Sequence, residues 1–320
     1  MEGRRKKECN EDDDCEVESY EDFLKMVVGE KVTDLAPFVF QEVDFSAEPP
    51  ERWAAYAMTG AWFFGCLFPE GVTAQAVRSR GATVLANDDT VPFKLHRSRL
   101  YTQSELIEHS DTIYHYYKAH SDVSAKLKYA AHDFSISDAL AGIVALKSVV
   151  SFMGGHQLSR ADAMYRQIVR TAWGLARDGF LVATGGGPGA MEAGNLGAYL
   201  ADRSEEELEE AIAIISQPSA LALASASSDS SHAPISEYLD NTPAKRVLER
   251  FGSPKTMPSI GVPTFFYGHE PSNLFASFHA KYFENALRED MLIKISNAGI
   301  IFAPGSAGTR QGILQFPFDQ

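Results

Sequence analysis

Cysteine is scarce in this chain, in which three of 320 residues, Cys9, Cys15 and Cys66, carry a thiol. Three scattered cysteines exclude a disulfide framework and a four-cysteine zinc site, so free thiols are expected. A long hydrophobic run is also missing, because no apolar stretch approaches the roughly 20 residues that span a bilayer. No apolar segment follows the basic start as it would in a secretory signal. We therefore expect a cytoplasmic protein without a membrane anchor.

The chain has fewer basic than acidic residues, with 29 Lys and Arg against 43 Asp and Glu, which gives a net charge of -14. This balance disfavours binding to nucleic acid or to anionic membranes, which depends on basic patches. A small anionic ligand stays compatible with it, because loops and helix ends bind such ligands whatever the global charge. The histidine and cysteine patterns of metal sites, the nucleophile elbow and the P-loop are all absent from the sequence, so neither a metal nor those two enzyme classes is expected.

The chain divides into three regions by composition. Residues 1–18 mix runs of both charges with almost no apolar residue, which predicts a disordered tail. Residues 19–145 carry mixed apolar and aromatic segments without a chemical motif, and we expect a mainly helical or mixed N-terminal accessory region. In residues 146–320 short apolar runs alternate with helical periodicity, as in βα units. This pattern predicts an α/β domain with a Rossmann-like, doubly wound parallel sheet.

The predicted elements of this last region can be placed along the chain. Strands are predicted at 148–154, 180–184, 211–216, 263–267 and 299–304. Helices are predicted from about 160 to 177, from the end of the second strand to about 200, and around Phe275, Phe278, Tyr282, Phe283 and Ala286, which recur at helical spacing. We interpret the Ser/Ala-rich stretch 217–235 as a mobile loop or lid, or else a solvated linker. In the accessory region, a helix is predicted within 100–120, with Thr102 or Ser104 as its cap.

A glycine-rich turn follows the second predicted strand. Gly185, Gly186 and Gly187 let the backbone turn sharply and approach a ligand without interference from a Cβ atom. Pro188 suits the first turn of the next helix, where a missing N–H group does no harm. Exposed amides and the positive end of the helix dipole favour a phosphate at such a turn. The turn therefore predicts a nucleotide phosphate site, although a merely tight strand-to-helix turn is the alternative.

The same turn also fits the G-x-G-x-x-A dinucleotide fingerprint, through Gly185, Gly187 and Ala190. A dinucleotide site further requires an acidic residue at the end of the following strand, where it binds the ribose hydroxyls. That predicted strand ends in Ser216 and Gln217. An NAD-dependent oxidoreductase is therefore disfavoured relative to a protein that binds a mononucleotide.

A second glycine loop follows the fifth predicted strand, at 302–309. The segments TGGGPGAMEAGNLGA (184–198) and PGSAGT (304–309) together resemble the two signatures of the LOG ("lonely guy") family, often labelled lysine decarboxylase-like. Residues 261–290 are similar to the segment before the second signature in a larger branch of that family. The N-terminal half, with FVFQEVDF, FFGCLFP and RSRLYTQSEL, is similar to the extension of that branch. The resemblance covers most of the chain from about residue 36 onward.

The resemblance implies a Rossmann-like, usually dimeric enzyme that needs no cofactor. Such enzymes hydrolyse the N-glycosidic bond of nucleoside 5′-monophosphates to free base and ribose 5-phosphate. Cytokinin ribotides are the substrates in one branch, and purine or pyrimidine monophosphates in another. We accordingly expect a small-molecule nucleotide as ligand and a homodimer.

Site residues follow from the two loops and from the resemblance. Binding of the nucleotide and its phosphate is assigned to Gly185, Gly186, Gly187, Gly189, Met191, Gly305, Ser306, Gly308 and Thr309. His269, in a loop near the carboxyl end of the fourth predicted strand, is assigned to the same site, with a hydrogen bond within its own loop as the alternative. The resemblance implies a catalytic arginine, which Arg288 matches with a spacing to Pro304 that is one residue longer than usual. It also implies a glutamate at a position that here is Gly312, and Glu192 and Glu289 are the carboxylates that could replace it.

The replacement at Gly312 keeps a second hypothesis open, in which the chain is a nucleotide-binding protein that has lost catalysis. Pro317 breaks the last helical segment shortly before the final residue. A doubly wound domain of this type would continue with a further helix, strand and helix. We therefore expect that the domain lacks its C-terminal end.

Overall fold

The computed structural model describes residues 15–217, 242–252, 259–267 and 272–303. The chain forms two compact units. The first consists of Met1–Arg99 and Asp122–Ala139, and the second of Leu100–Ser121 and Leu140–Gln320. Both units contain parallel strands and helices, which confirms the α/β class.

The first unit contains a parallel sheet of four short strands. These are β1 (Glu16–Val17), β2 (Val39–Gln41), β3 (Trp62–Phe64) and β4 (Thr83–Leu85), and each pairs with the next. Glu16 is in register with Val39, Val39 with Trp62, and Trp62 with Thr83, so the repeat is 23, 23 and 21 residues long. Repeats of this length, each adding one strand to its neighbour, are typical of solenoids.

The repeat stacks equivalent side chains into one core. Phe40 and Phe63 are register partners, and their rings stack with centroids 4.8 Å apart. Three short helices connect the strands, namely α1 (Tyr20–Phe23), α2 (Pro50–Ala55) and α3 (Ala74–Ser79), with a π-helical turn at Leu24–Gly29 after α1. Such a core keeps the short strands together, because two or three residues of pairing are weak by themselves.

The second unit contains a parallel sheet of five strands. These are β5 (Val149–Met153), β6 (Leu181–Thr184), β7 (Ile260–Gly261), β8 (Phe278–His279) and β9 (Gly299–Phe302), in the spatial order β8-β7-β6-β5-β9. Three of the five predicted strands, those at 148–154, 180–184 and 299–304, correspond to β5, β6 and β9.

Helices occupy the connections of this unit. They are α4 (Gln103–Ala119), α6 (Ala163–Arg177), α7 (Ala190–Tyr199), α8 (Glu205–Ile215), α9 (Thr242–Phe251) and α10 (Asn285–Lys294), while α5 (Val123–Val144) contains the boundary between the two units. The predicted helix within 100–120 is confirmed as α4, and Thr102 caps it in a capping box with Glu105. The predicted helices after the first and second strands are confirmed as α6 and α7.

The strand predicted at 211–216 is wrong, because these residues form the last turns of α8. Ser204 and Glu207 form a capping box that starts a helix before the apolar run. The buried residues of α8 are Leu208, Ala211, Ile212 and Ile215. Their spacing of three and four residues is helical, and a window confined to 211–216 hides it.

The strand predicted at 263–267 and the helix predicted around 275–286 are also wrong. The paired strand is β7, just before Pro263, which has no N–H group for a ladder. The segment after residue 272 is not helical there, since it pairs with β7 and the residues just after it: Ala280 N donates to Gly261 O, and Tyr282 N donates to Pro263 O. Helix α10 starts only at Asn285. The aromatics Phe275, Tyr282 and Phe283 are nevertheless buried, as expected.

Two expectations from composition can be compared with the structure. Cys15 is disulfide-bonded, so the expectation of free thiols is wrong for this residue, whereas Cys66 is free. Across the described residues, no helix combines the length and apolarity needed to cross a membrane. The Ser/Ala-rich stretch lies outside the described residues after Gln217.

Candidate functional site

The glycine-rich turn lies where the sheet changes direction. Strand β5 has β6 on one side and β9 on the other. After β5 the chain adds β6, β7 and β8 on one side of it and then β9 on the opposite side. In parallel sheets ligands bind at the carboxyl ends of strands near such a point. The turn leaves β6 at Thr184, which is at this edge and in register with Phe152 of β5.

Two glycines of the turn adopt backbone conformations that favour glycine. Gly186 has a φ of 73°, and a Cβ atom there would lie 2.9 Å from Pro263 Cδ. Gly189 has a φ of 71°, caps α7, and would press a Cβ atom against the carbonyl of Gly155. Both positions therefore need glycine for conformation and for space.

A buried polar network fixes the shape of the turn. The N–H group of Gly186 donates to Thr184 Oγ1 (2.9 Å), and its carbonyl accepts from the N–H group of Asn273 (2.8 Å). Asn273 Nδ2 donates to Gly187 O (3.1 Å) and to Asn195 Oδ1 (2.9 Å), which also accepts from Thr184 Oγ1 (2.6 Å). A satisfied network of this kind makes a backbone rigid.

Some backbone N–H groups of the glycine-rich turn already have an acceptor within the protein. The N–H group of Ala190, at the start of α7, donates to Gly155 O at 3.2 Å. Within the described residues, the N–H groups of Gly187 and Gly189 donate to no acceptor. These two donors therefore remain for an anion. The Gly154-Gly155 loop after β5, which packs on this helix start, is a feature that the sequence analysis missed.

Arg288 lies directly against the turn. Its Nη1 atom is 3.1 Å from the position that a Cβ atom on Gly185 would take, and Met191 Sδ is 2.5 Å from the same position. The side chain is 15% exposed, and its Nε atom is buried without a hydrogen-bond partner among the described residues. The structure thus brings together Gly185, Met191 and Arg288, three of the residues that the sequence predicted for the site.

Glu289 lies beside this arginine. Its Oε1 atom accepts from Asn285 Nδ2 at 3.1 Å and is 3.4 Å from Arg288 Nη2. Arg288 Nη2 in turn donates to Asn285 Oδ1 at 3.1 Å. The first turns of α10 thus hold an arginine and a carboxylate together, and both side chains are largely but not completely buried.

Glu192 is placed differently. Its carboxylate accepts from Arg160 Nε (2.8 Å), from Arg160 Nη2 (2.6 Å) and from the Tyr165 hydroxyl (2.9 Å). The side chains of Glu192 and Arg160 are 2% and 0% exposed. A carboxylate that is buried with these partners is shielded from water, and the geometry supports a structural role that the sequence analysis did not assign.

The remaining predicted site residues, Gly305, Ser306, Gly308, Thr309 and His269, lie outside the described residues, as does Gly312. In the described parts of the chain, no group of three or more metal-ligating side chains is arranged to hold a metal ion. Compared with known protein families and with curated proteins, the chain matches none. What the site offers chemically is two free amides, a helix N-terminus and a guanidinium around one glycine, a set of donors that suits an oxyanion.

Proposed function

We propose that this protein binds a nucleoside 5′-monophosphate at the Gly185–Gly189 turn and hydrolyses its N-glycosidic bond to free base and ribose 5-phosphate. The proposal includes a Rossmann-like, doubly wound architecture for the second unit and a relationship to the LOG family. The observation that carries it is the position of Arg288, whose guanidinium lies against Gly185 at the carboxyl end of β6.

The chemistry of this reaction needs a fixed phosphate and a stabilised ribosyl cation-like transition state. The N–H groups of Gly187 and Gly189 and the guanidinium of Arg288 supply donors for the phosphate. Glu289 supplies the carboxylate that orients or deprotonates water, because it lies beside Arg288 and is not completely buried. The hydrogen bonds from Asn285 and Arg288 keep this carboxylate in place.

The test is incubation of the purified chain with AMP, GMP, CMP and cytokinin ribotides, with chromatography of the released base. We expect release by the natural chain and loss of nucleotide binding in Arg288→Met, measured by calorimetry. Arg246→Met is the matched control, since Arg246 is exposed on α9 in the same unit. Equal nucleotide binding by both variants, or no release above buffer, would contradict the proposal.

A second candidate function is nucleotide binding without catalysis. The observation in its favour is that the Glu192 carboxylate already accepts hydrogen bonds from Arg160 and Tyr165. Of the two candidate catalytic carboxylates in the described residues, this leaves Glu289. It predicts saturable binding of a nucleoside monophosphate without release of base. Activity recovered by Gly312→Glu in such a chain would assign the loss to that position.

A further inference from the structure

Lys281 lies at the same edge of the sheet as the glycine-rich turn, beyond strand β8. His279 of β8 is in register with Gly261 of β7, which is in register with Thr184 of β6. Lys281 comes two residues after His279, so the two side chains leave the chain on the same face. Two strand spacings separate β8 from β6, which puts Lys281 about 10 Å across the sheet from Gly186.

The ammonium group of Lys281 is buried and forms no ion pair with any described residue. The residue is 5% exposed, and Nζ donates to Ser110 Oγ at 3.1 Å and lies 4.6 Å from the centroid of the Phe265 ring. Among the described residues, no carboxylate lies within 4.0 Å of Nζ. An ammonium has three N–H donors. Two of them are therefore left without a hydrogen-bond partner in the described part of the chain.

The charged and titratable groups around Lys281 do not supply a close counter-charge. Asp111, next to Ser110 on α4, is exposed and acts on Lys281 only from beyond ion-pair distance. His279 is fully buried, and its Nε2 atom lies 2.7 Å from Gln103 Oε1. Burial lowers the pKa of His279 to about 3, so its imidazole is neutral at pH 7. Of the two buried groups, only Lys281 is therefore charged at neutral pH, and Asp111 acts on it from beyond ion-pair distance.

An isolated buried charge is costly, and the protein responds by releasing the proton or by gaining a counter-ion. Burial lowers the pKa of Lys281 to about 8, which is still above 7, so the ammonium form predominates at neutral pH. Ser110 is only half-buried, and its hydroxyl proton is free to donate while its oxygen accepts from Lys281. The pair therefore presents N–H and O–H donors, and its serine is half-buried while its lysine is buried.

We propose that Lys281 and the Ser110 hydroxyl bind an oxyanion, a phosphate or a carboxylate group, at the carboxyl end of β8. This site goes beyond the proposed function, because it uses neither the glycine-rich turn nor Arg288. It provides a second anion-binding site on the same edge of the sheet.

The first test is calorimetric titration of the full chain at pH 7 with inorganic phosphate and, separately, with acetate. We expect Lys281→Met to weaken phosphate binding at one site about tenfold or more, because a charge-assisted contact is lost. Lys294→Met is the control, since Lys294 is exposed on α10. Arg288→Met keeps the Lys281 site, so failure of this proposal and failure of the proposed function are distinguishable. Acetate binding that depends on Lys281 identifies a carboxylate site, and phosphate binding alone identifies a phosphate site.

The second test uses the unmodified chain and does not depend on the folding of a variant. Trace acylation of amines, resolved by peptide mass spectrometry across pH 7 to 11, measures the reactivity of Lys281. We expect a midpoint near pH 8 without phosphate and a higher midpoint with it, because a bound anion stabilises the ammonium. A Lys281 amine that is unaffected by phosphate, or that never reacts, would overturn the proposal, as would equal phosphate binding by Lys281→Met and Lys294→Met.

Discussion

Replacement of Glu192 by Gln separates a structural role for this residue from a catalytic one. The change keeps the shape of the side chain and removes its charge. Arg160 would then stay 0% exposed without its carboxylate partner. A catalytic carboxylate would lose activity alone, whereas a structural one would lose stability.

The magnitude follows from the contacts of the pair. Glu192 accepts two hydrogen bonds from Arg160, at 2.8 and 2.6 Å, and one from Tyr165 at 2.9 Å. Removing one partner of a buried ion pair costs about 3–5 kcal/mol, because the other charge stays buried. Typical domains are stable by about 5–15 kcal/mol, so Glu192→Gln removes a large part of the total.

Urea unfolding followed by circular dichroism measures this loss, and amide exchange of peptides from α6 and α7 locates it. Glu205→Gln is the matched control in the same unit, because Glu205 is 61% exposed and pairs with Arg170 at 2.9 Å. We expect this surface pair to contribute at most about 1 kcal/mol. Equal unfolding free energies for the two variants would refute the structural role of Glu192.

Three further predictions concern the turn and Lys281. Gly186→Ala should destabilise the chain and abolish nucleotide binding, since a Cβ atom would lie 2.9 Å from Pro263 Cδ. Gly179→Ala is the control, because Gly179 has a φ of 93° and no atom within 4 Å of the added Cβ atom. In urea unfolding it should cost only backbone strain of about 1–2 kcal/mol. Asn273→Ala should cost about 1–3 kcal/mol and weaken nucleotide binding in calorimetry, because its buried partners lose their hydrogen bonds; unchanged values would contradict the network. The pKa of Lys281 falls from 10.5 to about 8 on folding, so the buried ammonium penalises the folded state below pH 8, and this penalty, about 3 kcal/mol, disappears as pH rises to 10.5. The unfolding free energy of the natural chain should therefore rise relative to Lys281→Met across that window, and a fall would contradict the burial of the charge.

The second unit could be predicted where local signals are strong. Strands β5 and β6 are short apolar runs that are each followed directly by glycine, and α7 follows the glycine-rich turn, which is typical of a strand-to-helix connection. The error at 211–216 arises when the apolar run is considered without the residues that precede it. Residues 211–216 are apolar as a helix end and as a strand, and the capping box at Ser204 decides between them.

The repeat of the first unit could not be recognised from residue identity. The positions that stack on one another are Val17, Phe40, Phe63 and Val84, which share only their apolar character. All four strands have only two or three residues, so alternation is too short to detect. The repeat is defined by register between strands, which is a tertiary property.

The site shows the same division between local and tertiary information. The resemblance suggested that Arg288 belongs with the glycine-rich turn, and the structure places its guanidinium there. The role of Glu192 depends on Arg160, which is 32 residues away in the chain. Asn273, which hydrogen-bonds to the turn, lies 86 residues after Gly187 in the sequence. Neither hydrophobic periodicity nor motif spacing in the sequence indicates such long-range pairings.

The way in which the turn is held bears on how a nucleotide could bind it. Because the network around Asn273 already fixes the backbone of Gly186 and Gly187, a phosphate would lose little free energy to ordering of the turn. The obstacle is steric, since Met191 Sδ and Arg288 Nη1 occupy the space in front of Gly185. Methionine is unbranched and flexible, so its side chain moves aside at low cost, while the guanidinium gains a partner by staying. A rigid turn covered by one adaptable side chain is therefore compatible with binding, and Met191 is the residue that has to move.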